Sequence, residues 1–494
     1  MENSVNRTAK SCILKIICTS SARVHFVGIL GSGMMPLARL LRHRGLSVSG
    51  TDRRGMTERE RELMSGIGFS PRHTAEGLDG VDLVVYSLAV SHDTPELRFA
   101  KERQIPAVTR ADLLGAVASM YATSVAVCGT HGKSTTVAIL THILSSAGMS
   151  PTAVSGAALM TGDSLLLGGS DLFVMEACEY KNAFHAIRPT LAVITNIDHD
   201  HADFFPDIDA VANSFRHFAG GAGRVMLNGG CPVCARLAFE LGAASTYTTP
   251  PTQGTPTIHR TSPTHGSLPT HDTPATHSGV LTYGTSTSDY PLVDYTLGTD
   301  FTEFTMLLGG EKHCFTLPVA GWGNLMDSVA AISAAYYLGV PVSNICTAIA
   351  SFHGIERRIQ HLGSIGGRAV YYDYAHHPRE IENTLDLLKR RHGSVGVIFR
   401  PHTYSRTAAF LDGFRSSLCI ADAISLVDVY AARESETDGV TSAYLADYIG
   451  DRAAFVDPAG ALDYILTHSH GAIVLMGAGE VDGILEDIKK RLDA

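Results

Sequence analysis

Short β-branched runs, each breaking on a glycine or a polar residue, recur along this chain with helix-spaced stretches between them. VHFVGI opens at Val24 and turns through glycines into PLARLLRHRG, whose apolar residues fall at helical spacing and stop at a glycine. LSVSGTD, ending at Asp52, then VDLVVYSLAV and a short stretch at Pro106–Val108 continue the alternation. Near Tyr121 it restarts with SVAVCG, the turn GTHGKST and the helical TTVAILTHILSSAG, which ends at Gly148. DLFVMEA and LAVITN are near-continuous apolar strands, the kind buried on both faces. Past residue 355 come AVYYDY, SVGVIF, AISLVDVY and AIVLMGAG, again with helical stretches between. Alternation of this kind predicts an α/β fold of mainly parallel sheets with flanking helices.

The 494 residues suggest three such domains. The restarts divide the chain into a ragged N-terminal extension at 1–20, a Rossmann-like domain at 21–120, a central phosphate-loop domain at 121–355 and a second Rossmann-like domain at 356–494. From Thr246 to His277 there are 11 Thr, 6 Pro and 4 His in 32 residues. So few apolar side chains cannot offset the entropy of ordering, so a disordered insertion is expected at 246–277. Its histidines, six apart at His259, His265, His271 and His277, lack a rigid scaffold on which to converge on one metal ion.

A net charge of −10 argues against a nucleic-acid partner, and anionic substrates then need local cationic groups. No apolar run reaches the ~18 residues of a membrane span. SCILKIIC, at Ser11 to Cys18, is short and carries Lys15, so it does not read as a signal peptide. Nine scattered cysteines fit a reducing cytosol, and Cys231 and Cys234 read as plain thiols.

Gly129-Thr130-His131-Gly132-Lys133-Ser134-Thr135 lies between a strand and a helix, the context a phosphate loop requires. Backbone N–H groups and the helix start would face phosphate oxygens, Lys133 would neutralise the terminal phosphates, and the Ser134 hydroxyl would ligate Mg²⁺. Val127 stands where the common pattern has its first glycine, so the loop is shortened. Glu176 closes one following strand; Asn196 closes the next, with Asp200 and His201 just beyond. Ligands of open parallel sheets bind at carboxyl strand ends, which makes Glu176 and His201 candidate metal ligands. At the N-terminus, Gly28-Ile29-Leu30-Gly31-Ser32-Gly33 is spaced GxxGxG, and Asp52 ends the second strand as a ribose-binding acid would. That suits a diphosphate at a helix start without choosing the nucleotide. In the last domain, DYAHHP from Asp373 and RPHTYSR from Arg400 follow two strands; their His, Tyr and Arg suit a carboxylate and an amine, or simply a polar, capped loop.

Taken in order, VGILGSGM, GTHGKST, EACEY, TNIDHDH, DYAHHP, FRPHTYSRT and MGAGE resemble the Mur ligase family, from about Val24 to Val481 apart from the Thr/Pro/His insertion. The resemblance implies ATP-dependent attachment of L-alanine to the lactyl carboxylate of UDP-N-acetylmuramate through an acyl phosphate, beginning the peptide of peptidoglycan, in a cytoplasmic monomer or homodimer using Mg²⁺. It gives Gly28, Gly31, Ser32, Gly33 and Asp52 to the UDP-sugar. Gly129 to Thr135, Asn324, Arg358 and Asp373 go to ATP, and Ser134, Glu176 and His201 to the metal. Lys133, Glu176, His201 and Arg358 become catalytic; Tyr374, His376, His402 and Arg406 meet the amino acid. The family's second adenine-motif Asn is Asp327 here, and Ser134 replaces a commoner Thr. Two rivals stand beside this reading: a relative that adds D-glutamate or a recycled tripeptide, and a nucleotide-binding regulator without ligase activity.

Overall fold

The computed structural model describes residues 2–169, 171–245, 279–432, 434, 440–468, 471–479 and 481–493. The expected insertion at 246–277 lies outside them. Contacts divide the chain into two compact units: Met1–Ile197 with Ala212–Pro291 and Ala330–Ile345, and Asp198–Val211 with Leu292–Val329 and Cys346–Ala494.

The first unit holds two sheets. Strands β1 (Arg23–Val27), β2 (Ser47–Thr51), β3 (Gly68–Ser70), β4 (Leu83–Tyr86) and β5 (Ala107–Thr109) are all parallel, in the order β3-β2-β1-β4-β5. The order reverses beside β1, the switch point at which such sheets leave a crevice for ligand. The second sheet contains β6 (Thr123–Cys128), β7 (Thr152–Val154), β8 (Leu165–Leu166), β9 (Leu172–Glu176), β10 (Leu191–Ile194), β11 (Arg224–Asn228) and β12 (Val280–Tyr283). Their order is β12-β11-β10-β6-β9-β7-β8, with only the β7–β8 pair antiparallel. All four residues of β10 are buried, as expected of an apolar strand covered on both sides.

The N-terminal extension is not ragged. Glu2–Ile17 form a helix, and Ile13 and Ile17 are buried. One apolar residue per turn gives that helix a face to dock, which reading SCILKIIC for length alone overlooks.

The second unit contains a sheet that the strand–helix alternation did not announce: β13 (Leu292–Leu297), β14 (Thr302–Leu308) and β15 (Glu311–Leu317), antiparallel throughout. Its signal was present, since TEFTMLL alternates in burial and Gly309-Gly310, both at positive φ, form a two-residue hairpin. Strands β16 (Gln360–Ile365), β17 (Arg368–Asp373), β18 (Val395–Arg400), β19 (Ala423–Leu426), β20 (Ala453–Phe455) and β21 (Ala472–Gly477) follow in the order β16-β17-β21-β18-β19-β20, parallel except at β16. Alternate residues feed opposite cores: Tyr371, Val397, Phe399 and Val474 on one face, Val370, Tyr372, Ile398 and Ile473 on the other. Among the described residues, no helix is long and apolar enough to cross a membrane.

Candidate active site

The strongest sequence motif forms a tight loop between β6 and the helix Lys133–Ser146. Gly129 has φ +140, and a Cβ there would lie 2.0 Å from Thr195 Oγ1, so only glycine fits. Asn196, at the end of β10, braces the loop: its carbonyl accepts from Thr130 N–H at 3.1 Å, its Oδ1 from His131 N–H at 2.9 Å, and its Nδ2 donates to His131 O. Gly132, left-handed at φ 80, caps the helix and swings Lys133 back over the loop. The Lys133 ammonium donates to Gly129 O at 2.6 Å and Thr130 O at 3.1 Å, and lies 3.2 Å from Glu179 Oε1. Burial works to lower its pKa; Glu179, then Cys178 and Glu176, more than offset this and hold the ammonium above its usual range. The loop therefore carries a fixed positive charge at a helix N-terminus.

Ser134 Oγ donates to Glu176 Oε2 at 2.8 Å, and the same oxygen accepts from Gly156 N–H at 2.9 Å. A hydroxyl and a carboxylate side by side at a strand end form a hard-oxygen pair, the donor set Mg²⁺ prefers. Ser134 and Glu176 thus fit the expected metal; His201 belongs to the other unit. Glu179, the partner of Lys133, sits in the quoted EACEY motif but was not assigned a role from sequence. Its burial against the Lys133 ammonium is visible only in the fold, so no sequence signal marked it.

The first glycine loop is built around Asp52. Gly28 has φ +80, and its N–H and that of Ile29 donate to Thr51 O at 2.8 and 3.0 Å. Leu30 N–H donates to one Asp52 oxygen at 2.9 Å and Arg53 N–H to the other at 2.8 Å. Asp52 accordingly shapes the loop and is not simply a free acid awaiting a ribose. Gly31 continues the turn, Ser32 is exposed, and a Cβ on Gly33 would meet Arg110 Nη1 at 3.0 Å. Arg110, the first residue of the helix Arg110–Ala118, supplies the cation that sequence reading missed.

In the second unit the two polar strand ends come together. The His376 and His402 rings lie 5.8 Å apart and Tyr374 lies edge-on to His376 at 5.4 Å. Arg406 is buried: its Nε and Nη2 reach Asp200 Oδ1 at 3.0 and 2.7 Å, and its Nη1 contacts His402 Nδ1 at 3.0 Å. Arg406, expected at the amino acid, has its guanidinium engaged by Asp200 and His402. Burial raises the Asp200 carboxyl, but Arg406, with His201, His376 and His377, overrides it and holds it well below the carboxylate range. Burial pushes His376 down to about 4 and His402 lower still, with Arg406 adding to both. Both rings are therefore neutral near pH 7. Asp200 appeared in the sequence reading only as a neighbour of His201.

Arg358 lies over the Tyr374 ring at 5.5 Å and 3.8 Å from Glu380. The residues either side, Arg357 and Ile359, have φ 63 and 47, as His201 and Thr403 have 55 and 64, so positive-φ strain gathers around these motifs. Asp373 is buried, accepts from Thr384 Oγ1 and from Ala375 N–H, and is pushed up to about 6 chiefly by burial. Asn324 Nδ2 donates to Ala320 O at 2.8 Å at the start of the helix Trp322–Tyr337.

Three family models match the chain: the Mur ligase family catalytic domain over residues 23–122, the Mur ligase middle domain over 127–246, and the Mur ligase glutamate ligase domain over 357–479. A UDP-N-acetylmuramate–L-alanine ligase of Lachnospira eligens is 34% identical over 487 residues, covering 96% of this chain and 100% of its own. Among solved structures, a UDP-N-acetylmuramate–alanine ligase from Thermotoga maritima matches with a TM-score of 0.74 at 23% identity, over 95% of this chain and 98% of its own. A murein peptide ligase from Psychrobacter arcticus matches at 0.69 and 21%, with the same two coverages.

Proposed function

The chain belongs to the Mur ligase family, and on that premise we propose how its residues perform the reaction. It joins L-alanine to the carboxylate of UDP-N-acetylmuramate with ATP, the first peptide-adding step in making the peptidoglycan precursor. The observation that carries the nucleotide chemistry is the loop itself: one helix start presents the Lys133 ammonium and, beside it, the Ser134–Glu176 oxygen pair.

A carboxylate does not react with an amine at neutral pH, because its oxygen is a poor leaving group. Transfer of the γ-phosphoryl group makes an acyl phosphate, whose phosphate leaves when the free amine of L-alanine attacks. Lys133 and the loop N–H groups hold the charge of the transferring phosphoryl group, and Arg358 adds a second cation. Ser134, Glu176 and His201 would hold Mg²⁺, which would supply further charge neutralisation there. Gly28, Gly31, Ser32 and Gly33, with Arg110, take the UDP-sugar diphosphate, on a loop shaped by Asp52. Asn324 contacts the adenine. Asp373, buried at the first position of the DYAHHP motif with Arg358 in its field, is the acid near the nucleotide. Tyr374, His376 and His402 line the amino-acid site, and Arg406 positions His402 from behind. Held neutral, the imidazoles there add no positive charge against the incoming amine. ATP and a nucleotide sugar as substrates support a cytoplasmic location.

The test is phosphate release with defined substrates. ADP and phosphate should form only when UDP-N-acetylmuramate and L-alanine are both present. Turnover with D-glutamate or a tripeptide in place of L-alanine, or turnover independent of the UDP-sugar, would overturn the reading.

A further inference from the structure

Cys231-Pro232-Val233-Cys234 stands where β11 turns into the helix Pro232–Ser245. The Cys231 carbonyl accepts from Ala235 N–H at 2.8 Å, the first bond of that helix, so Cys231 is its N-cap and Cys234 lies one turn along on the same side. The Cys231 sulfur faces several donors. Ile197 N–H points to it at 3.4 Å, the Cys234 side chain bonds to it, and so do the N–H groups of Cys234 and Val233. The bond from Cys234, aided by those N–H groups and opposed by burial, holds the thiol down to about 6. The two cysteines differ in access: Cys231 is 6% exposed and Cys234 0%. An outer sulfur favoured as thiolate, with a second thiol behind it, is the arrangement that thiol–disulfide exchange needs. Among the described residues no third His, Cys, Asp or Glu joins the pair to make a metal site.

We propose that Cys231 and Cys234 are a redox modification site, closed to an intramolecular disulfide by a low-molecular-weight disulfide, and that closure loosens the nucleotide loop. The effect on nucleotide rests on the assignment of the loop at 129–135 to ATP made above. In the first step the Cys231 thiolate attacks one sulfur of the external disulfide and expels the other as thiolate. Cys234 gives its proton to that thiolate, attacks the Cys231 sulfur and expels the second external thiol. Two protein thiols are thereby oxidised by two electrons, and one external disulfide is reduced to two thiols. Helix neighbours one turn apart have Cβ atoms about 5–6 Å apart, whereas a disulfide needs about 3.5–4.5 Å. One side chain must close that gap. Cys234 is fully buried within the helix, so Cys231, at its mouth, is the one that moves. It then leaves Ile197, whose N–H it faces at 3.4 Å and whose carbonyl at 3.7 Å. Ile197 directly follows Asn196, which braces Thr130 and His131 of the phosphate loop. Asn228, at the end of β11, holds the same strand end through Thr195 O at 2.9 Å. All of these residues belong to one unit, and the sulfur sits one residue away from the brace of the loop.

The test treats the full chain with oxidised glutathione at pH 7, alkylates the remaining thiols and maps the cysteines by mass spectrometry. A Cys231–Cys234 bond should form ahead of modification at the other cysteines. Calorimetry with ADP and Mg²⁺ should then show affinity weakened about two- to tenfold, the worth of one hydrogen bond, and dithiothreitol should restore it. Cys234→Ser should trap glutathione on Cys231, because nothing is left to expel it. Cys231→Ser, whose hydroxyl can still cap the helix, should bind ADP as the reduced parent does and no longer respond to the oxidant. Both thiols alkylated after the other cysteines have reacted would overturn the proposal. So would a Cys231–Cys234 bond with unchanged ADP affinity, or a full response to oxidant in Cys231→Ser. Neither mapping nor ADP binding requires turnover, so absent ligation beside an intact redox response would fail the ligase reading alone. A reduced chain that does not bind ADP would overturn the proposed effect on the loop together with the loop's assignment to ATP.

Discussion

Arg406 and Asp200 form a buried ion pair, with two guanidinium nitrogens on one carboxylate oxygen at 2.7 and 3.0 Å and side chains 7% and 8% exposed. The third nitrogen faces the Nδ1 of His402. For the Asp200 carboxylate, Arg406 is the largest single offset to desolvation, so the two positions depend on one another energetically. Asp200 and Arg406, 206 residues apart in sequence, are thereby tied together within one unit.

Arg406→Ala should therefore destabilise that unit by about 3–5 kcal/mol, because it strands the Asp200 carboxylate in a dry site. Adding Asp200→Asn should recover most of the loss, since a neutral amide needs no counter-charge. Calorimetric unfolding of the parent, the two single variants and the double variant measures the coupling. A rise in KM for L-alanine with no change in unfolding would instead make Arg406 a direct ligand.

The two imidazoles set an acid limit on stability. Burial and Arg406 depress His376 to about 4, and burial, the His376 imidazole and Arg406 depress His402 further, whereas both titrate near 6.5 when unfolded. Between those values the unfolded chain binds more protons than the native one, so stability rises with pH there and is lost as pH falls. Lowering pH from 7 to 5 should cost about 1–2 kcal/mol per imidazole. His402→Gln should flatten the dependence between pH 5 and 7 by about one histidine's share. An unchanged slope in urea midpoints would show that His402 is not held neutral.

How much was readable in advance follows from where the information is local. The phosphate loop was legible because its requirements lie within seven neighbours: a glycine that can take φ +140, a second at φ 80, then Lys133 at the helix start. The parallel sheets were legible from β-branched runs such as LAVITN. Asp200, Glu179 and Arg110 were not, because each acquires its role from a partner distant in sequence: Arg406, Lys133 and Gly33 respectively. A lone acid or arginine has no period or spacing to betray it. The antiparallel sheet of β13 to β15 was missed for a different reason: its glycine hairpin was outweighed by the α/β pattern on either side.

Gly129→Ala isolates the loop's geometry from its charge. The added Cβ would collide with Thr195 Oγ1, and φ +140 is a region that L side chains rarely adopt. The strand-to-helix turn must open, which displaces Lys133 from the Gly129 carbonyl to which it donates. The expected result is a loss of about 1–3 kcal/mol in unfolding together with severely reduced turnover. Parent-like ATP turnover in this variant would mean that the loop does not have to close as described.

Removing divalent metal should abolish turnover, and the Ser134–Glu176 pair should set how much is needed. Glu176→Gln keeps the shape and an acceptor for Gly156 N–H but removes the charge. We expect the Mg²⁺ concentration for half-maximal turnover to rise about 10- to 100-fold. An unchanged metal requirement in both Glu176→Gln and Ser134→Ala would place the ion elsewhere.

Lys133 carries the sharpest separation between folding and chemistry. Lys133→Ala removes the cation that serves the phosphates and also leaves Glu179, 2% exposed, without the ammonium that faces it. Stability and turnover should both fall, so the single variant alone is ambiguous. In Lys133→Ala/Glu179→Gln the stranded charge is gone, and unfolding should return towards the parent by most of the lost amount. Turnover should remain at least about 10²- to 10³-fold down, because no other group has replaced the ammonium at the phosphoryl oxygens. Glu179→Gln by itself keeps the cation and should retain measurable ligation. If the double variant regained activity along with stability, Lys133 would be a structural counter-ion to Glu179 and the charge on the transferring phosphoryl group would have to be held by other residues.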